Sequence, residues 1–466
     1  MTQITIPLST QFFQGRSKEA TGQNVINMYV EENPQGSKYP FSLYGCAGLT
    51  EWLTLPINGV VHNMHKMGSS LYVVCNSNVY HISVDKTITL LGTINNVGRV
   101  SIADNGTQVI IITQSSGYII ESNVLTQITD ADFPLASVAE YFINYFVVTV
   151  QNTGRFNWSA ALNGLSWNAL DYITAEKKSD NLVGIINYND AIWLFGESSI
   201  EIYVSSGQAD APFVYYQGSA NSTRGCAAKF SIYAIANQLF WLGDDRIVYT
   251  NNGYQPLRVS NHAIEKEIMD MAVVSDAISM SYTQDGHKFY ILTFPSENKT
   301  YSYDILTKMW SKRSSFTINR WRANDICDFA GYQLVGDFEN GKIYYINPLS
   351  YTEDEEVLER IIYTTPLYEQ NVRLIYHSIW LDVDSGVGLT TGQGSDPQVM
   401  MQFSDDGGYT WSNENWRSAG NIGNYNKQLV WRRMGMARNR LIRFTMTDPV
   451  PFRVLGCFSE IEPYSL

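Results

Sequence analysis

Seven short apolar strands recur along the first three quarters of the chain, beginning near Leu71 (LYVV), Val109 (VIII), Phe146 (FVVT), Ile192 (IWLF), Leu239 (LFWL), Phe289 (FYIL) and Gln333 (QLVG). Successive starts lie roughly 37 to 50 residues apart, which is the length of one four-stranded propeller blade. Most are followed by a turn and a second aromatic-rich strand, as in NSNVYHI (76–82), SSGYIIE (115–121), SSIEIYV (198–204), DDRIVYT (244–250) and NGKIYYI (340–346). These are hairpins. The spacing predicts an all-β chain built on a six- or seven-bladed β-propeller over residues 56–350. The first 55 residues either close the ring or reach to a neighbour.

The regular spacing ends at an acidic run, LSYTEDEEVLER (349–360), which marks a boundary near 350. Beyond it, IWLDVD (379–384), VMMQFS (399–404), LVWRRM (429–434) and LIRFTM (441–446) alternate with long Gly-rich loops. That pattern predicts a C-terminal β-sandwich-like domain over 351–466. One stretch, HAIEKEIMDMA (262–272), reads as a helix capped by Ser260-Asn261 and is expected to be a surface insertion.

Composition narrows the function. Charged residues make up only 17% of the 466, while 30 tyrosines and 11 tryptophans supply contact area without charges to desolvate. A net charge of −13 argues against an outer surface that grips nucleic acid, because phosphate binding needs clustered Lys and Arg. The five cysteines (Cys46, Cys75, Cys226, Cys327, Cys457) are scattered and form no C-x-x-C pair, so neither zinc nor a disulfide framework is expected. The N-terminus MTQITIPLSTQFF lacks the features of a leader, and no apolar run is long enough for a membrane span. Synthesis in a cytoplasm is the expectation.

Three constellations stand out. Ser404, Asp406, Gly408, Thr410 and Trp411 fit the Asp-box, S-x-D-x-G-x-T-W, in which Ser and Asp bond the backbone of a tight hairpin and Trp tucks beneath it. Because sialidases carry such boxes away from their catalytic centre, a carbohydrate-active or glycan-binding propeller is the alternative reading of the chain. Glycoside hydrolysis needs two carboxylates across a cleft. The acid pairs Glu31-Glu32, Asp244-Asp245 and Asp405-Asp406 sit instead in turn-like contexts. Second, Tyr303, Asp304 and Trp310 resemble the outer part of a kelch-type blade, where the Asp orders a turn and the Trp packs across the blade. Third, Arg432, Arg433, Arg438, Arg440 and Arg443 break the acidic trend. They suit strand-edge pairing within the domain, a protein interface, or a DNA contact. His62-x-x-His65 lacks a third metal ligand, and no P-loop, dinucleotide fingerprint, G-x-S-x-G or H-E-x-x-H occurs. No catalytic residue, metal or cofactor is expected.

Across nearly its whole length the chain resembles the tail accessory proteins of short-tailed bacteriophages, known as packaged-DNA stabilisation, tail hub or nozzle proteins. The resemblance rests on GCAGLTEW (45–52), VSIADNGTQVIII (100–112), IWLFGESSIEIY (192–203), LFWLGDDRIVYTNNGYQPLRVSNHAIE (239–265), DGHKFYILTF (285–294), YDILTKMW (303–310) and GMARNRLIRFTMTDPVPF (435–452). It implies a structural virion component in the tail, a homohexameric ring below the portal and its adaptor. Such a ring extends the DNA channel, helps retain packaged DNA until ejection, and anchors tailspikes, fibres or a plugging needle. Double-stranded DNA would pass through the lumen without sequence-specific binding. The resemblance brings no catalytic residues with it.

Overall fold

The computed structural model describes residues 2–18, 21–95, 98–217, 224–368 and 372–464. Each of the seven predicted apolar runs is the second strand of a four-stranded antiparallel sheet. These runs read as continuously apolar because both faces are covered. In Ser70–Cys75, Leu71, Val73 and Cys75 pack against Phe329, Leu334 and Ile343 of the last blade, whereas Tyr72 and Val74 pack against Val109 and Ile111 of the next. The same alternation repeats from blade to blade. Ile110 and Ile112 meet Phe146 and Val148, Val147 meets Ile192 and Leu194, and Phe240 and Leu242 meet Tyr290 and Leu292.

That count makes the ring seven-bladed. Five sheets stand alone, spanning residues 61–93, 101–127, 136–174, 182–215 and 233–258. A sixth comprises Ile278–Gln284, His287–Phe294, Lys299–Asp304 and Met309–Arg313. The seventh takes three strands from 323–347 and its fourth, Gly48–Thr54, from the N-terminal region. Of the two expectations for the first 55 residues, ring closure therefore holds for Gly48–Thr54. Gly48 must be glycine there, since a Cβ would lie 2.2 Å from the Thr352 carbonyl oxygen.

Phe13–Gln14 and Gly22–Gln23 pair with each other, and the other N-terminal strands belong to a second body, a β-sandwich. One of its sheets joins Leu374–Val383, Arg453–Pro463, Phe41–Gly45 and Met28–Glu32, with Thr2–Ile6 paired along Arg453–Pro463. The facing sheet, including Arg360–Tyr363, Asn439–Met446 and Gln398–Ser404, is continuous with blade six. The joint is Val25–Ile26, which pairs in parallel with Lys312 of the blade and antiparallel with Ile361 and Ile362 of the sandwich. A core including Val25, Met28, Leu43, Ile379, Trp431 and Phe444 fills the space between the sheets.

Two local expectations need correction. The helix runs His262–Met269 with Asn261 as its cap, accepting from the Ala263 and Ile264 amides at 3.0 Å each. It is not a surface insertion. Ala263, Ile264 and Ile268 are buried with Phe12 and Trp310 in the core between blades five and six. Glu31 and Glu32 lie in the strand Met28–Glu32 rather than in a turn.

Candidate functional site

Asp406 organises the predicted hairpin. It accepts from the Ser404 hydroxyl at 2.7 Å, the Tyr409 and Thr410 amides at 3.0 and 2.9 Å, and the Thr410 hydroxyl at 2.5 Å, while Ser404 Oγ accepts from the Gly408 amide at 2.8 Å. These bonds hold the half-buried Asp406 carboxyl well below the usual carboxylate range. Gly408 sits at φ +93°, a region that side chains rarely adopt. Trp411 packs edge-on to Tyr363 at 5.3 Å, and the Arg443 guanidinium lies over its indole. All of these contacts are within the hairpin or to neighbouring strands of its own sheet.

Asp304 ties a turn and two side chains together in blade six. It accepts from the Leu306 amide at 3.0 Å and the Thr307 hydroxyl at 2.8 Å, and it bonds the buried His287 ring Nδ1 at 2.7 Å. That bond raises the His287 pKa. Tyr303 packs tilted against Trp310 at 4.9 Å, and the Trp310 indole N–H donates to the Val259 carbonyl just after blade five.

The five arginines divide by burial. Arg440 is 2% exposed, donates to both oxygens of Asp405 at 2.7 Å and to the Met434 carbonyl at 2.6 Å, and stacks on Tyr376 and Phe403. Of the readings left open by the sequence, pairing within the domain fits Arg440, whose guanidinium is engaged by Asp405 and the Met434 carbonyl. Arg443 bonds Gln402 and covers Trp411. Arg432, Arg433 and Arg438 are exposed. His62 and His65 share the strand Val61–Met67, with His65 bonded to Asp104 at 2.7 Å. No metal-ligand cluster occurs among the described residues.

Sequence reasoning missed a buried ionic cluster where blades six and seven meet. Arg313, at the end of blade six, lies 3.7 Å from Glu353, with its guanidinium over Trp321. Glu353 also accepts from the Trp321 indole at 2.8 Å and the Ser315 hydroxyl at 2.6 Å. Nearby Arg360, fully buried, donates to the Asp448 and Val450 carbonyls, and burial lowers its pKa to about 10. These partners are 32 to 90 residues apart, so no local spacing announces them.

Two profiles describe this pair of bodies in sequence terms. One, for the β-propeller of bacteriophage P22 Gp10, matches residues 10–351, and the other, for the β-sandwich of the same protein, matches 359–462. The chain belongs to the P22 Gp10 family. Within that family, the tail hub protein gp10 of Salmonella phage P22 is 22% identical over 432 residues, covering 87% of each chain. Solved structures similar to this Gp10-family chain include BamB of Moraxella catarrhalis, 7% identical with a TM-score of 0.41 over 74% of this chain and 97% of BamB. PorZ of Porphyromonas gingivalis is 11% identical with a TM-score of 0.38 over 79% of this chain and 46% of PorZ. In this Gp10-family chain the sandwich takes Met28–Glu32 and Phe41–Gly45 from the segment matched by the propeller profile, and Val25–Ile26 joins the two bodies.

Proposed function

We propose that this chain is a structural hub of a bacteriophage tail, assembling as a closed ring of six copies that docks on the adaptor below the portal. In this reading the ring extends the DNA channel, helps retain packaged DNA and anchors tailspikes or fibres. The observation that carries it is the pair of Gp10 profiles that together span most of the chain, with a tail hub protein as relative over 87% of both lengths.

The architecture supports such a role on physical grounds. A hub must pass load between partners without deforming, and here blade six and one sandwich sheet share an uninterrupted hydrogen-bond ladder. Outer blade strands expose Leu90, Val124, Leu170 and Val214, and a groove of about 760 Å³ lined by Tyr172, Tyr203 and Tyr215 opens between blades three and four. Aromatic-lined surfaces of this kind suit protein partners. The test is assembly: the purified chain mixed with its cognate adaptor–portal complex, weighed by mass photometry and imaged by electron microscopy. Six copies per complex are expected. A chain that stays monomeric in the presence of the adaptor overturns the proposal.

A further inference from the structure

The mouth of the propeller axis holds positive charge that the tail role does not use. Arg99, Lys229 and Arg320 line one cavity of about 380 Å³, together with Phe230, Asp276 and Phe338. Arg99, Lys229 and Arg320 each fall just ahead of a blade's first strand, at Ser101, Tyr233 and Ala323. The ring geometry therefore brings together at one end of the axis three cations that are far apart in sequence.

Their partners are few. Arg99 is paired, 2.8 Å from Asp325, and also donates to the His62 and Asn324 carbonyls. Arg320 is 5% exposed, yet among the described residues its hydrogen bonds are two long ones of 3.3 Å, to the Trp321 carbonyl and the Asn324 side chain, and its guanidinium lies over Phe338. Among the described residues, Lys229 reaches the Ser137 hydroxyl at 3.4 Å and the face of Phe230. Neither has a carboxylate within 4 Å among the described residues. Burial lowers the pKa of both, that of Arg320 to about 10 against the opposing pull of Asp337, Glu339 and Asp276. Asp276 lines the cavity, and Asp337 and Glu339 act on Arg320 from beyond 4 Å, so these carboxylates oppose the cations only at a distance.

We infer that this axial cavity is a binding site for a single carboxylate, held by Lys229 and Arg320, on a body no larger than one sugar ring or two peptide residues. With Asp276 on the same wall, a second negative charge on the ligand is repelled, which favours a monoanion over a dianionic phosphate. Phe230 and Phe338 offer apolar surface to the body that carries it, and the volume lies at the small end of ligand sites. The carboxylate could be that of a free sugar acid or of an acidic side chain; both present the same group to the same two cations.

Titration calorimetry of the full chain with glucuronate, N-acetyl-aspartyl amide, inorganic phosphate and glucose tests this. The expected result is saturable binding of one or both carboxylates, weakened by salt, with glucose silent and phosphate weaker. The stronger of the two carboxylates identifies the source. Lys229→Gln, at a half-buried position, should weaken binding by about tenfold or more with its melting temperature unchanged. Arg320→Gln should do the same, with any loss of fold read separately by circular dichroism. No carboxylate heat, phosphate binding more tightly than either carboxylate, or an unaltered affinity in folded Lys229→Gln overturns the assignment. Tail assembly is unaffected by any of these results.

Discussion

Asp304 shows how much a single buried side chain holds here. It satisfies a turn amide, a hydroxyl and the His287 ring at once, and both members of the His287–Asp304 pair are almost wholly buried. Asp304→Ala should cost about 2–4 kcal/mol in urea unfolding, because it strands several buried donors together. The pair also gives stability a pH dependence. Its hydrogen bond raises the folded pKa of His287 above 6.5, so its contribution is complete below that pH and is lost as pH rises through the raised value. Wild type should lose stability over that window, and His287→Gln should not. Arg440→Met should destabilise by about 2–3 kcal/mol, since a stacked, bidentate guanidinium is lost from the sandwich. The roles of Asp304 and Asp406 were legible because each bonds backbone within four residues of itself. Arg440 was not, because a run of arginines looks the same in sequence whether its members face solvent or a neighbouring strand.

At the scale of elements, the joint between the two bodies depends on Asn27. Its side chain donates to the Ser314 and Glu359 carbonyls at 2.8 and 2.7 Å and accepts from the Ser314 amide at 3.0 Å, bridging blade six to the sandwich. It also sits at φ +54°, which asparagine tolerates better than most residues. Asn27→Ala should cost about 2–3 kcal/mol and split one calorimetric unfolding transition into two as the bodies uncouple. The second strand of each blade was readable from an unbroken apolar run. Val25–Ile26 and Gly48–Thr54 were harder, because a strand that joins a distant edge carries no periodicity of its own beyond a few residues. The helix was found by its cap and pattern, but its burial was misjudged, since Phe12 arrives from 250 residues away to cover it.

For the whole molecule, the exposed arginines separate folding from assembly. Replacing Arg432, Arg433 and Arg438 together with Glu should leave the melting temperature within about 1–2 °C, because exposed charges contribute little to stability. A lower yield of adaptor complexes by mass photometry would mark them as interface residues, and an unchanged yield would remove them from it. By itself, the sequence determined the all-β class, the blade period and the presence of a second β body, because local alternation and turn chemistry are written into neighbouring residues. Only the tertiary structure decided seven blades over six, the return of the N-terminal strands to both bodies, and which arginines are buried. Each depends on contacts between residues far apart in the chain, and such contacts exist only once the ring has closed.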